Sequence, residues 1–221
     1  QPHRATDRTD SGARAESTQR LNVPRRSPAW SDGPVDDADL WQAYAWPERC
    51  LRANFVTTVD GHIQGPDGLS GTISSPEDRR VFHMLRAGAD AILVGAGTAR
   101  IENYKPVGIK REWLEYRGND VPPVLVIVSA SGQVPDIEGS VVVDGSDLAS
   151  LKDKYPRILC EGGPHLFTAL LEQGVIDQLA LSTHGRLGGT GALVTDGVTS
   201  GATPIHTHHD AEGLYTLWSL T

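Results

Sequence analysis

Two glycine-bearing turns in this chain have the composition of an anion cradle. The first closes the apolar run ADAILVGAGTARIENY, residues 89–104, with Gly95, Gly97 and Thr98. The second lies in RILCEGGPHLFTALLEQG, where Gly162 and Gly163 follow a buried stretch ending at Cys160. Glycine lets a ligand approach the main chain closely. The helical pattern that begins near Pro164 directs unpaired N–H groups, at the positive end of its dipole, toward whatever lies over the glycines, which favours a phosphate. Two such turns at strand C-termini of one open sheet form a cleft suited to an extended dinucleotide. The first turn is not the Rossmann fingerprint, because Arg100 stands where the third glycine would be. Taken alone, the first turn also reads as a tight strand-to-helix connection.

The elements around these turns alternate. LRANFVTTVDG predicts a strand closed by a turn at Asp60 and Gly61, followed by a glycine-rich loop, GHIQGPDGLSGTIS. Ser75 before Pro76, with Glu77 and Asp78 in the first turn, predicts a helix start. Val81, Met84 and Leu85 recur on its inner face, and Gly88 is expected to close it. ADAILVGAG, VPPVLVIVSASG and RILCEGG read as strands buried on both faces, and VVVDGSDLASLKDKY as a short strand and helix. PHLFTALLEQG is an amphipathic helix, and VIDQLALST and GLYTLWSLT are closing strands. The expected fold is α/β, a mostly parallel central sheet with helices on both faces and antiparallel C-terminal strands. Residues 1–28 are polar and expected to be disordered, and residues 29–49 form an arm rich in tryptophan. Within that arm Asp36 to Asp39 cap a short helix carrying Leu40, Trp41 and Tyr44. The arm either packs on the domain or a partner subunit, or closes as a lid over a flat ligand. Residues 50–221 form the main domain.

The net charge of −8 argues against a nucleic-acid partner. Two cysteines are too few for a disulfide framework, and Cys160 reads as a small core residue. No apolar run is long enough for a membrane helix and no secretory signal is evident, so a cytoplasmic location is expected. His206, His208 and His209 in HTHHD do not have diagnostic metal spacing, and no metal is expected.

RANFVTTVDGHI, GTISSPEDRRVFHMLRAGADAILVGAGTARIENY, ILCEGGPHLFTALLEQGVIDQLAL and RLGG follow one another in the order of a known family. Together they resemble the C-terminal reductase domain of the riboflavin-biosynthesis deaminase-reductase, a dihydrofolate reductase-like fold, and most of all its stand-alone actinobacterial members. The zinc motif of the deaminase half is absent from the sequence. The resemblance implies NADPH as cofactor. It assigns Gly95, Gly97, Thr98, Glu102, Thr72 and Ser74 to cofactor contacts, with the pyrophosphate on Gly162, Gly163, Pro164, His165, Leu166 and Phe167 and the ribose 2′-phosphate near Ser129 and Ser131. It places Asn54, Ser70, Arg86 and Lys105 beside the substrate, with Asp60 and Glu161 both binding and catalytic. Either carboxyl could supply a proton or hold a cationic acceptor. Each has a plainer reading: Asp60 in its turn, Glu161 as a helix cap, Arg86 on a helix dipole.

The implied reaction is hydride transfer to the sugar C1′ of a ribosylamino-pyrimidine phosphate. The alternatives are a dihydrofolate or pterin reductase, and a non-catalytic NADPH-binding sensor or scaffold. The small-molecule partner and a homodimer follow from the resemblance alone. Three departures stand out. IENYKPVGIKREW replaces the segment whose arginine meets substrate phosphate, leaving Lys105, Lys110 or Arg111 to substitute. The stretch between Ser131 and Glu161 is short for the family. STHGRLGG lacks the proline that many members place before the glycine pair.

Overall fold

The computed structural model describes residues 29–32, 35–195 and 200–220, so the polar segment expected over 1–28 lies outside the described residues. In chain order the elements are β1 (Ala29–Asp32), α1 (Asp37–Ala43), β2 (Cys50–Thr58), β3 (His62–Gln64), α2 (Pro76–Gly88), β4 (Ala91–Gly95), α3 (Ala96–Ile101), α4 (Arg111–Arg117) and β5 (Val124–Val128). There follow β6 (Val141–Val143), α5 (Leu151–Lys154), β7 (Arg157–Cys160), α6 (Pro164–Glu172), β8 (Gln178–His184), β9 (Thr190–Leu193), β10 (Ala202–His209) and β11 (Gly213–Leu220). A 3-10 turn, Ser70–Thr72, interrupts the glycine-rich loop.

The strands form a nine-stranded sheet in the order β1-β10-β11-β8-β2-β7-β4-β5-β6. Pairings from β8 through β2, β7, β4, β5 and β6 are parallel, while β11 runs antiparallel to both β8 and β10. The apolar runs follow from this position. Successive side chains of a strand point to opposite faces, and here both faces are covered. On β4, Ile92 and Val94 join a core shared with Leu40, Leu85 and Trp113, while Ala91 and Leu93 join one shared with Phe167 and Leu170. Helices α1, α2 and α4 thus cover one face and α6 the other.

Helix α2 begins as its sequence predicts. The Ser75 hydroxyl accepts from the Asp78 N–H at 3.0 Å, and Pro76 occupies the first turn. Its end differs from expectation. Gly88 lies inside the last turn, and a Cβ there would collide with the Trp46 indole, so close packing rather than a left-handed cap calls for glycine. The arm also becomes defined. Asp36 caps α1 through the Asp39 N–H, Leu40 and Tyr44 are buried, and Trp41 stacks on Trp113. Arg52, fully buried on β2, donates to the carbonyls of Tyr44 and Ala45 and to Gln178 Oε1, with its guanidinium 4.2 Å from the Trp46 ring. The described part of the arm is therefore packed against the sheet, and the lid reading is corrected.

Candidate active site

The structure joins the two glycine turns. The Gly95 N–H, at the end of β4, donates to the Gly162 carbonyl at 2.8 Å. Gly162 has φ +96°, which a side chain would strain, and the peptide to Gly163 is cis. A Cβ on Gly163 would strike the Thr98 hydroxyl, whereas Gly97 and Gly71 face open space. Gly163 is also the N-cap of α6, and no side chain caps that helix. The first-turn N–H groups therefore remain available to an acceptor from outside.

Beside these turns lies a cavity of about 470 Å³, enclosed by β2, α2 and the chain that leaves β4 and β7. Helix α2 presents Asp78, Phe82 and Arg86 to it at spacings of four residues, which puts them on one face. On one wall, Arg86 clasps Glu161 with a fork of two hydrogen bonds, Nε to Oε1 and Nη2 to Oε2, each 2.7 Å. The Tyr104 hydroxyl donates to the same Oε2 at 2.7 Å. The Glu161 side chain is 2% exposed. Burial opposes the Arg86 charge, but the Glu161 carboxylate outweighs it, so the Arg86 pKa is raised. Burial, and then the Glu161 charge, push the Tyr104 phenol well above its ordinary value.

At the other end of the same stripe, about two helical turns from Arg86, stands Asp78, 6% exposed. Its Oδ2 accepts from the Ser74 hydroxyl at 2.5 Å, and Ser182 is near enough to favour its ionised form. Burial raises its pKa; the two hydroxyls and the charges of Arg79 and His184 oppose that without cancelling it.

Of the residues expected from sequence, Asn54, Ser70, Arg86, Lys105 and Glu161 line this cavity on the substrate side of the assignment. Ser74, Thr98, Glu102, Gly163 and Pro164 line it on the cofactor side. Glu102 accepts from the Ser70 N–H at 3.1 Å, tying the 3-10 turn to the end of α3. His165, Leu166 and Phe167 form the first turn of α6, with Phe167 packed edge-on against Phe55.

Other expected residues stand apart from the cavity. Thr72 turns its hydroxyl to Asp67 at 2.8 Å. Ser129 and Ser131 lie just beyond β5, their hydroxyls 3.5 Å apart. Lys110 and Arg111 begin α4 and do not line the cavity. Asp60 is exposed, and its Oδ2 accepts from the Gly188 N–H at 3.1 Å. It borders a separate depression with Thr58, Gly61 and Leu193. Asp60, expected in the turn beside the cleft with a catalytic role, instead lies outside the cavity lined by Glu161, and its carboxylate fastens the β2 turn to the loop after β8. The Thr58 hydroxyl, with help from Gly188, holds the Asp60 pKa below its ordinary value. The helix-cap reading of Glu161 and the dipole reading of Arg86 give way to their mutual ion pair.

Asp78, Phe82, Tyr104 and Arg79 line the cavity but were not singled out for it. Asp78 reads in sequence as an ordinary first-turn acid. Its spacing to Phe82 and Arg86 was the available signal, since it puts a carboxyl, a ring and a guanidinium on one stripe. The histidines of β10 serve packing: His206 and His208 bond each other at 3.1 Å, and His208 bonds Glu77 at 3.2 Å. Among the described residues no helix is long and apolar enough to cross a membrane.

The chain is similar to known proteins. A family model described as the RibD C-terminal domain matches residues 49–214. The riboflavin biosynthesis protein RibD of Mycobacterium tuberculosis is 31% identical over 134 residues, covering 57% of this chain and 39% of that protein. A 2,5-diamino-6-ribosylamino-4(3H)-pyrimidinone 5′-phosphate reductase from Archaeoglobus fulgidus is 24% identical over 167 residues, covering 58% of this chain and 76% of that one. The chain thus matches less than half the length of the RibD relative. Among solved structures, a pyrimidine reductase-like protein from Corynebacterium diphtheriae superposes with a TM-score of 0.68 at 21% identity, covering 82% of this chain and 98% of that one. Dihydrofolate reductase from Enterococcus faecalis gives 0.57 at 14% identity, covering 79% and 98%. These likenesses show a dihydrofolate reductase-like fold.

Proposed function

The chain belongs to the RibD C-terminal domain family, and we propose that it is an NADPH-dependent reductase of a ribosylamino-pyrimidine phosphate, acting at the sugar C1′. One observation carries the reading. Two glycine turns are hydrogen-bonded to each other, and an uncapped helix start opens onto a cavity with a polar floor. The residues present fit a dinucleotide: the space over Gly97 is open, and a side chain on Gly163 would fill the cradle. The N–H groups of His165 and Leu166 would hold the pyrophosphate, with the Thr98 hydroxyl beside them and Ser129 and Ser131 toward the ribose phosphate. When bound, the reduced nicotinamide supplies a hydride.

The chain's own side chains orient the acceptor and exclude water. Asn54 and Ser70 offer hydrogen bonds to a heterocycle, and Phe82 offers a flat apolar wall. Lys105, on the cavity lining, would meet a substrate phosphate as a point charge rather than a fork. The Arg86–Glu161–Tyr104 cluster braces its wall, because both Glu161 oxygens are already engaged.

The test is NADPH oxidation followed by absorbance, offering the deaminated ribosylamino-pyrimidine phosphate and dihydrofolate separately. Turnover of the pyrimidine alone is expected. Turnover of dihydrofolate alone would move the protein to pterin chemistry, and NADPH binding without turnover of either would favour a sensor or scaffold.

A further inference from the structure

Reduction of a polar double bond needs a proton as well as a hydride, and the cavity holds three carboxyl groups: Asp78, Glu102 and Glu161. Glu161 is poorly suited to give one. Its two oxygens receive three hydrogen bonds, two of them from a guanidinium that can only donate. Glu102 accepts from the Ser70 N–H through Oε1, a bond that favours the carboxylate over the acid. Asp78 differs in kind. The side-chain hydrogen bond of its carboxyl comes from the Ser74 hydroxyl, with Ser182 near enough to favour the ionised form, and a hydroxyl donates to a carboxylate as readily as it accepts from a carboxylic acid. Neither charge state strands a buried polar group. The nearby cation on its own helix, Arg79, makes no hydrogen bond to Asp78 and donates instead to the Ser74 carbonyl at 2.7 Å.

We propose that Asp78 is the proton donor of the reaction, resting on the reductase reading above. The acceptor is the ring-opened imine of the ribosylamine. The hydrogen and electron pair of the new C–H bond at C1′ would come from the reduced nicotinamide, whose own C–H bond would break as the ring is oxidised. The C=N π pair moves to nitrogen and takes the proton from the Asp78 carboxyl, whose O–H bond breaks. Asp78 remains as carboxylate, held by Ser74 and Ser182, until solvent restores its proton.

The other charged and titratable groups around Asp78 are consistent with this role. Arg79 lies on its own helix, His184 on β8, and Tyr44 on α1. Tyr215, on β11, bonds the Ser75 hydroxyl that caps the same turn. Burial outweighs the cations among these and keeps the proton on Asp78 to higher pH than an exposed carboxyl would. A donor must be protonated, so turnover falls as pH rises through that raised value.

The experiment compares the whole protein with Asp78→Asn and Asp78→Glu. Steady-state kinetics with the ribosylamino-pyrimidine phosphate are run against pH, NADPH binding is followed by fluorescence, and infrared difference spectra are recorded across the same pH range. Asp78→Asn is expected to lose on the order of a hundredfold or more in kcat, the scale of general acid catalysis. Its NADPH affinity should stay intact, and it should lose both the alkaline fall in rate and one protonated-carboxyl band. Asp78→Glu should restore part of the rate with a shifted pH limb. If wild type turns over and Asp78→Asn keeps its kcat and pH profile, the donor lies elsewhere while the reductase reading survives. A protein that binds NADPH but reduces no pyrimidine acceptor overturns both readings, and wild type alone reveals that case. A carboxyl band that titrates identically in wild type and Asp78→Asn also removes Asp78 from the role.

Discussion

Glu161, clasped by Arg86 at one end of the α2 stripe, and Asp78 at the other end line one cavity, both sheltered from water and oppositely surrounded. Glu161 is gripped by a guanidinium and a phenol that donate to it, so its acceptor state is built into the wall. Asp78 has hydroxyl partners, which follow a proton on or off. Taking a charge from water costs several kcal/mol, and a fold can offset that by pairing the charge or by letting the group go neutral. This cavity uses each solution once. The first braces a wall, and the second leaves a group that can still exchange a proton.

Truncating each carboxyl should break the comparison most visibly. Glu161→Ala leaves Arg86 buried without its partner and is expected to cost about 3 to 5 kcal/mol of unfolding free energy. Asp78→Asn keeps an oxygen for the serine hydroxyls and should stay within about 1 kcal/mol of wild type. The sign of its small change depends on pH. The folded-state pKa of Asp78 is raised above its unfolded value, so the stabilisation from this group is complete below the unfolded pKa and is lost as pH rises through the folded one. Asp78→Asn should therefore gain on wild type from acid toward neutral pH. Denaturant midpoints at a series of pH values measure both effects. Similar losses for the two variants would mean the two walls are not different in kind.

Tyr104→Phe sharpens the paired side. It removes one of three donors to Glu161 and leaves the Arg86 fork intact, so a loss of about 1 to 2 kcal/mol is expected, well short of Glu161→Ala. A loss as large as that of Glu161→Ala would show that the phenol, rather than the guanidinium, anchors the wall.

The wall carrying Glu161 was far more legible in the sequence than the wall carrying Asp78. Glu161 stands beside two glycines at the end of a run that reads as a buried strand, so local pattern alone marks the turn. The frame around it was equally readable: β4 and β7 are apolar because both faces are covered, and Ser75–Pro76 announces α2. Asp78 gave no such sign. Periodicity separates the inward face of α2, with Val81, Met84 and Leu85, from the rest, but it does not say that Asp78, Phe82 and Arg86 border a cavity rather than solvent. Its partner Ser182 lies far along the chain, on β8, and no local spacing encodes that meeting. Asp60 misled for the converse reason. A turn next to a candidate site reads as part of it, yet the loop after β8 folds back to claim its carboxylate. The pairing of β1 with β10 was hidden likewise, because parallel register between chain ends is set by packing.

Ser74→Ala sharpens the proton-exchanging side with a smaller effect. The Ser74 hydroxyl is one of the groups that hold the Asp78 pKa down against burial, so its removal should raise that pKa further. The stability cost is expected near 1 kcal/mol, a single hydrogen bond. The alkaline fall in turnover should move to higher pH, in the direction opposite to an added cation. A limb that stays in place would disconnect it from Asp78.

Asp60→Asn should do least, and that makes it a control for the whole arrangement. Asp60 is exposed, borders a different depression, and spends its carboxylate on the Gly188 N–H, a bond that an asparagine oxygen can still accept. The hydrogen bonds that favour its ionised form join the β2 turn to the loop after β8, remote from the wall formed by Asp78 and Ser74. Thermal midpoint, kcat and the pH profile are all expected to match wild type within error. A loss of kcat comparable to that of Asp78→Asn would mean that the chemistry takes place over the β2 turn, at the depression shared with Thr58 and Gly61. The contrast between the two walls would then describe a packed interior rather than an active site.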